Sequence, residues 1–198
     1  MALKTVHYAG VAFSISYEIL NPNQLHDIIF LHGWGSSKNL MKQAFSKTLP
    51  SFRHIYIDMP GFGGSNCDVP LKTDDYAVIM ELFLKEIDAH KNVILGHSFG
   101  GKVATLLNPE LLVLVASAGI LVPKPLKIRT KIALFKLLKF TGLTSLRSLF
   151  VAPDVSGMSE AMYQTFKNVV NEDFSDRFKA YKGKVLLCFG ERDTATPL

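Results

Sequence analysis

Apolar and polar positions alternate in part from residue 11 to residue 19, with Val11, Phe13, Ile15, Tyr17 and Ile19 in phase. A period of two predicts a half-buried strand, here an antiparallel strand at a sheet edge. Asn21-Pro22-Asn23 then turns the chain. The next apolar runs do not alternate. Ile28-Ile29-Phe30-Leu31, His54-Ile55-Tyr56-Ile57, Val93-Ile94-Leu95, residues 111–116 and residues 185–189 are short and nearly continuous. That is the pattern of strands covered on both faces, as in a parallel sheet.

Helical spacing fills the intervals. Ser37 is placed to cap a helix reaching about Leu49, with Leu40, Met41, Ala44 and Phe45 inward and Pro50 as its stop. Tyr76, Ile79, Met80, Phe83, Leu84 and Ile87 recur at helical spacing behind the acidic Asp74 and Asp75. Residues 103–107 form a further short helix. Strands alternating with helices predict an α/β fold with a mostly parallel, doubly wound sheet. From residue 122 to about 182 the pattern is helical without a convincing strand, broken at Gly142, Pro153 and Gly157. This predicts a core over residues 1–121, an inserted helical cap over 122–182, and a return to the core over 183–198.

Composition narrows the class. The chain has 198 residues, 48% of them apolar, enough for a sizeable core. No apolar run is long enough to span a bilayer, and the N-terminus carries no signal-like segment. The two cysteines, Cys67 and Cys188, form neither a disulfide framework nor a metal-ligand spacing, so no metal or cofactor is expected and a reducing cytoplasm fits best. The net charge of +5 is uneven. No acidic residue lies between Glu110 and Asp154, where Lys124, Lys127, Arg129, Lys131, Lys136, Lys139 and Arg147 fall. Such a block suits an anionic substrate, though a solvated helix face is the commoner use. No nucleic-acid motif accompanies it, and residues 126–140 are only a weak candidate for a membrane surface.

The chemistry centres on Gly96-His97-Ser98-Phe99-Gly100, between a strand and a helix. Gly-x-Ser-x-Gly in that setting holds a serine on a strained turn, where side chains at the flanking positions would collide with backbone. Two more loops fall at carboxyl ends of strands, His32-Gly33-Trp34-Gly35 and Gly190-Glu191-Arg192-Asp193. Open α/β sheets build their sites on that edge. The glycine-rich stretch from Asp58 to Ser65 is no dinucleotide fingerprint, because Asn66 stands where the third glycine belongs.

Together these loops resemble the α/β-hydrolase superfamily, and Asp58-Met59-Pro60-Gly61-Phe62-Gly63-Gly64-Ser65 matches its usual loop. The resemblance implies Ser98 as nucleophile and Asp193 as the acid that orients a histidine. It also implies an oxyanion hole from the backbone amides of Trp34 and Phe99, with His32, Gly33 and His97 beside the substrate. The implied activity is hydrolysis of a small acyl substrate, an ester by preference. The alternatives are carbon–carbon hydrolysis of 2-hydroxy-6-oxo-dienoates and a non-catalytic binding protein on the same fold.

The family order of serine, acid, histidine fails at its last member, since no histidine follows Asp193. The six available are His7, His26, His32, His54, His90 and His97. Relative to the family the chain reads as truncated, lacking a final helix, strand and helix. Little or no hydrolysis is expected of this form.

Overall fold

The computed structural model describes residues 1–121 and 158–193. Residues 122–157 and 194–198 lie outside it, and with them the basic block and most of the expected cap. The chain divides into two compact units, one made of Met1–Ile120 with Ser159–Leu198 and the other of Leu121–Met158. Everything described below belongs to the first.

Seven strands form one sheet: β1 (Ala2–Tyr8), β2 (Val11–Leu20), β3 (His26–Leu31), β4 (Phe52–Ile57), β5 (Val93–His97), β6 (Leu111–Val115) and β7 (Lys184–Cys188). Their spatial order is β1-β2-β4-β3-β5-β6-β7. β1 pairs antiparallel with β2, and β2 antiparallel with β4. From β4 through β3, β5 and β6 to β7 every pairing is parallel. The expected α/β sheet is therefore present. One reading is corrected: residues 11–19 do not form the edge. β1 covers them, its alternation hidden by Lys4, Thr5 and His7 on a strand that is largely exposed.

The helices are α1 (Lys38–Phe45), α2 (Thr73–Glu86), α3 (Phe99–Leu107), α4 (Glu160–Val170) and α5 (Ser175–Ala180). Helix α1 stops well short of Leu49. Its Ser37 side chain makes no capping bond, Leu40 is half exposed, and Leu49 itself takes a positive φ of 48°. Helix α3 starts at Phe99, earlier than residue 103, because the glycines that discourage a helix in isolation are required there by packing.

Alternation along the buried strands gives the sheet two covered faces. Ile28 and Phe30 of β3, Tyr56 of β4, Val93 and Leu95 of β5 and Val113 of β6 pack with Met41 and Phe45 of α1. The opposite parity places Leu31, Gly96 and Leu114 in one row across β3, β5 and β6. That row meets α3, where Leu114 lies against Gly101. Ile29, Ile55, Ile57 and Ile94 are fully buried. Burying a side chain of this size contributes about 1.5–3 kcal/mol, so the central strands anchor the fold.

Helix α4 is fixed to this core by polar contacts. The Leu71 amide donates to Thr165 Oγ1 (2.9 Å), and Asn168 Nδ2 donates to the Leu71 carbonyl (3.0 Å).

Candidate active site

The chain leaves β3 toward β4 on one side and later enters β5 on the other. The carboxyl ends of β3 and β5 thus flank the point where the winding reverses, where open α/β sheets leave a crevice. The loop after β3 carries His32, Gly33 and Trp34. The turn after β5 carries Ser98.

Ser98 has φ 51° and ψ −116°, outside the regions open to ordinary residues. Such a conformation costs on the order of 1–3 kcal/mol and persists only when its surroundings hold it. They do so from three directions. The Ser98 amide donates to the Val115 carbonyl (3.2 Å), while the Ser98 carbonyl accepts from the amides of Gly101 (3.0 Å) and Ala118 (3.2 Å). The flanking glycines are obligatory. A Cβ on Gly96 would lie 2.4 Å from the Gly100 carbonyl oxygen, and one on Gly100 would lie 2.4 Å from that of Leu31. The collisions anticipated from the pentapeptide are thus real contacts with backbone. The turn also makes Ser98 the residue before α3, whose first amides have no intrahelical acceptor.

The loop after β3 lies directly against this turn. A Cβ on Gly33 would sit 3.2 Å from Ser98 Cβ and 2.9 Å from His97 Nδ1. The Trp34 ring packs edge-on against Phe99 (5.7 Å) and Phe62 (4.9 Å), and at 5.3 Å from Phe166 of α4. Phe99 also meets Tyr76 of α2 at 5.1 Å. Trp34, beside the serine turn, is thus packed among aromatic rings from the loop after β4, from α3 and from α4. The Trp34 Nε1 and His97 Nδ1 atoms are buried and have no hydrogen-bond partner among the described residues.

His32 is fully buried. Its Nδ1 lies 2.8 Å from the Gly33 carbonyl, and its Nε2 accepts the Met59 amide at 3.1 Å. An acceptor at Nε2 leaves the proton on Nδ1, so the ring is neutral and ties two loops together. Burial pushes its pKa below the ordinary value, against the pull of the Gly33 carbonyl and Asp58. His97 is half-buried, and burial lowers its pKa too, opposed by the Asp193 carboxylate. The register His97–Val115–Cys188 carries the chain across β5, β6 and β7 to Asp193, whose amide donates to the Gly190 carbonyl (3.0 Å).

The remaining histidines lie elsewhere. His26 and His90 stand at the amino ends of β3 and β5, His7 is on β1, and His54 is buried with its ring bonded to Tyr56 and Leu49. Among the described residues no group of three or more His, Cys, Asp or Glu is placed to hold a metal ion. No described helix is long and apolar enough to cross a membrane.

A buried ion pair supports the site from below. Lys38 Nζ lies 2.5 Å from Asp58 Oδ2, with both side chains nearly inaccessible. Asp58 also accepts the amides of Lys38 (2.7 Å) and Gly64 (2.9 Å), and Lys38 donates to Ser16 Oγ (2.9 Å). These bonds join the start of α1 to the loop that carries Phe62. Sequence reading placed Asp58 in a matching loop but gave no role to Lys38, Phe62, Lys102 or Phe166, because spacing does not reveal which lysine is buried or which aromatic packs on Trp34.

The sequence model of the alpha/beta hydrolase family matches residues 28–193. A pimeloyl-[acyl-carrier protein] methyl ester esterase of Vibrio campbellii is 38% identical over 79 residues, covering 40% of this chain and 30% of that protein. A 2-succinyl-6-hydroxy-2,4-cyclohexadiene-1-carboxylate synthase of Klebsiella pneumoniae is 30% identical over 80 residues, covering 39% of this chain and 30% of that protein. The matched stretch is thus under a third of the length of either relative. An esterase structure from Exiguobacterium antarcticum superposes with a TM-score of 0.70 at 20% identity, covering 94% of this chain and 80% of that one.

Proposed function

This chain belongs to the alpha/beta hydrolase family, and from that premise we propose that it is a serine-dependent hydrolase of small acyl substrates, by preference carboxylic esters. The observation that carries the proposal is the strained Ser98 backbone, braced from three sides and pressed against the Gly33-Trp34 loop. In this reading Ser98 Oγ attacks the acyl carbon and the alcohol leaves, giving an acyl-enzyme that water hydrolyses. The oxyanion is stabilised by the Phe99 amide, at the positive end of α3, and by the Trp34 amide of the loop after β3. Gly33 leaves room for the acyl group, and His97 borders it. His32 holds the loop through backbone rather than touching substrate. The aromatic wall of Trp34, Phe62, Phe99 and Phe166 suits an apolar acyl chain.

Asp193 is the acid of this reading, within electrostatic reach of His97. None of the six histidines follows Asp193 in the sequence, and His7, His26, His54 and His90 lie away from the serine turn. With the family order of serine, acid and histidine incomplete, we expect slow turnover from these 198 residues, near the roughly 10³–10⁴-fold over water that serine hydrolases keep when a triad member is removed.

The basic residues between 122 and 157 favour an anionic substrate, and the match to a methyl ester esterase favours ester over carbon–carbon cleavage. Turnover of p-nitrophenyl butyrate is the test. Slow hydrolysis that vanishes in Ser98→Ala supports the ester reading. Cleavage of a 2-hydroxy-6-oxo-dienoate with inert esters would replace it, and failure to act on or be modified by either class would favour a binding protein.

A further inference from the structure

Lys102 lies on the helix that follows Ser98, and it is buried. Its ammonium does not face the serine. It donates to the carbonyls of Val169 (2.8 Å) and Glu172 (2.9 Å), lies 3.6 Å from Glu172 Oε2, and stands 5.6 Å from the centre of the Phe174 ring. Val169 is in the last turn of α4, and Glu172 lies just beyond its end. The last carbonyls of a helix have no intrahelical donor, and that end carries the negative pole of its dipole. Lys102 supplies both the donors and the positive charge. Glu172 is in turn bonded to Thr73 Oγ1 at the start of α2.

We propose that Lys102 is a positioning residue that sets the depth of the acyl site by fixing α4, and with it Phe166, over Trp34. The inference rests on the esterase reading for its substrate and on contacts alone for its mechanics. Phe166 is three residues from Val169, less than one turn, so clamping the end of α4 fixes the ring that packs on Trp34. The clamp springs from α3, so the roof and the serine share one support. The substrate consequence is a limit on acyl length and bulk. Releasing the clamp opens space beyond Trp34 and favours longer chains. Burying an ammonium is costly without partners, and here every partner lies on or just after α4.

Trp34 is the single tryptophan of the sequence, so its fluorescence reports the roof directly. Emission and acrylamide quenching are compared for the unaltered protein, Lys102→Met, Lys102→Arg, Phe166→Ala and the Lys102→Met/Phe166→Ala double variant, with circular dichroism confirming that each is folded. The expected result is an increase in quenching of about twofold in Lys102→Met and in Phe166→Ala, no further increase in the double variant, and restoration by Lys102→Arg. Should Lys102→Met not fold, Lys102→Gln takes its place. A second readout is the rate of labelling by long-chain against short-chain alkyl fluorophosphonates, which Lys102→Met shifts toward the long chain by about tenfold. Unchanged Trp34 quenching in a folded Lys102→Met protein, or effects of Lys102 and Phe166 that simply add, would overturn the proposal. If fluorescence responds as expected while no fluorophosphonate labels any form, the positioning role stands and the esterase reading falls.

Discussion

Gly100 approaches Leu31 so closely that a Cβ on it would lie 2.4 Å from the Leu31 carbonyl oxygen. The helix after the serine is thereby seated on the end of β3, and the serine is brought to the loop that β3 feeds. Backbone cannot yield as a side-chain tip can. Gly100→Ala is expected to cost about 3 kcal/mol, the upper part of the range for overpacking, and Gly96→Ala a similar amount. Urea unfolding measures both. A loss under about 0.5 kcal/mol, the level of an unremarkable surface change, would mean that the close approach is not a constraint.

Gly33 carries a different expectation. Its missing Cβ would meet side chains, His97 Nδ1 at 2.9 Å and Ser98 Cβ at 3.2 Å, and these can shift a little. Gly33→Ala should therefore leave the unfolding midpoint close to that of the parent while slowing fluorophosphonate labelling by roughly a hundredfold, the effect of losing one oxyanion donor. Labelling at the parental rate would show that this loop does not shape the site.

The Lys38–Asp58 pair is nearly inaccessible and shares its bonds with Ser16 and Gly64. Removing one partner strands a charge, so Lys38→Met or Asp58→Asn should each cost about 3–5 kcal/mol. The double variant Lys38→Met/Asp58→Asn is expected to recover part of that loss, because it strands no charge. A double-mutant cycle by urea denaturation checks this, and strict additivity would contradict it.

Acid stability follows from His32. Its folded pKa is held below the usual 6.5, mainly by burial, so between that lowered value and 6.5 the unfolded chain binds more protons than the folded one. Stability therefore rises with pH across this window and falls on acidification through it. His97, also lowered by burial, adds the same sign, reduced by Asp193. Urea midpoints at about pH 7.5 and about pH 5.5 should show the acid loss, and His32→Asn should show a smaller one. An equal or larger loss in His32→Asn would assign the effect to other groups.

Much of the fold could be read from the chain because the central strands are apolar without alternation and the loops at their ends are rich in glycine. Ile28 to Leu31 and Val93 to Leu95 announce burial on two faces. β1 escaped notice because only Val6 of its seven residues is buried, which leaves no phase to detect. The end of α1 was misjudged for a related reason. Pro50 is a strong stop signal, but the helix had already ended at Phe45. At the site, the serine turn was legible because its glycines answer to backbone contacts that any sequence with this bend must satisfy. Lys102 and Phe166 were not legible. They act across 64 residues of separation, through tertiary contacts that no local pattern encodes.

The most direct test is mass spectrometry of the intact chain after exposure to a fluorophosphonate, with the adduct located by peptide sequencing. Modification concentrated at Ser98, slow but saturable and absent in Ser98→Ala, is the expected result. No adduct at Ser98, or adducts spread evenly over surface serines, would contradict an activated alcohol at this turn.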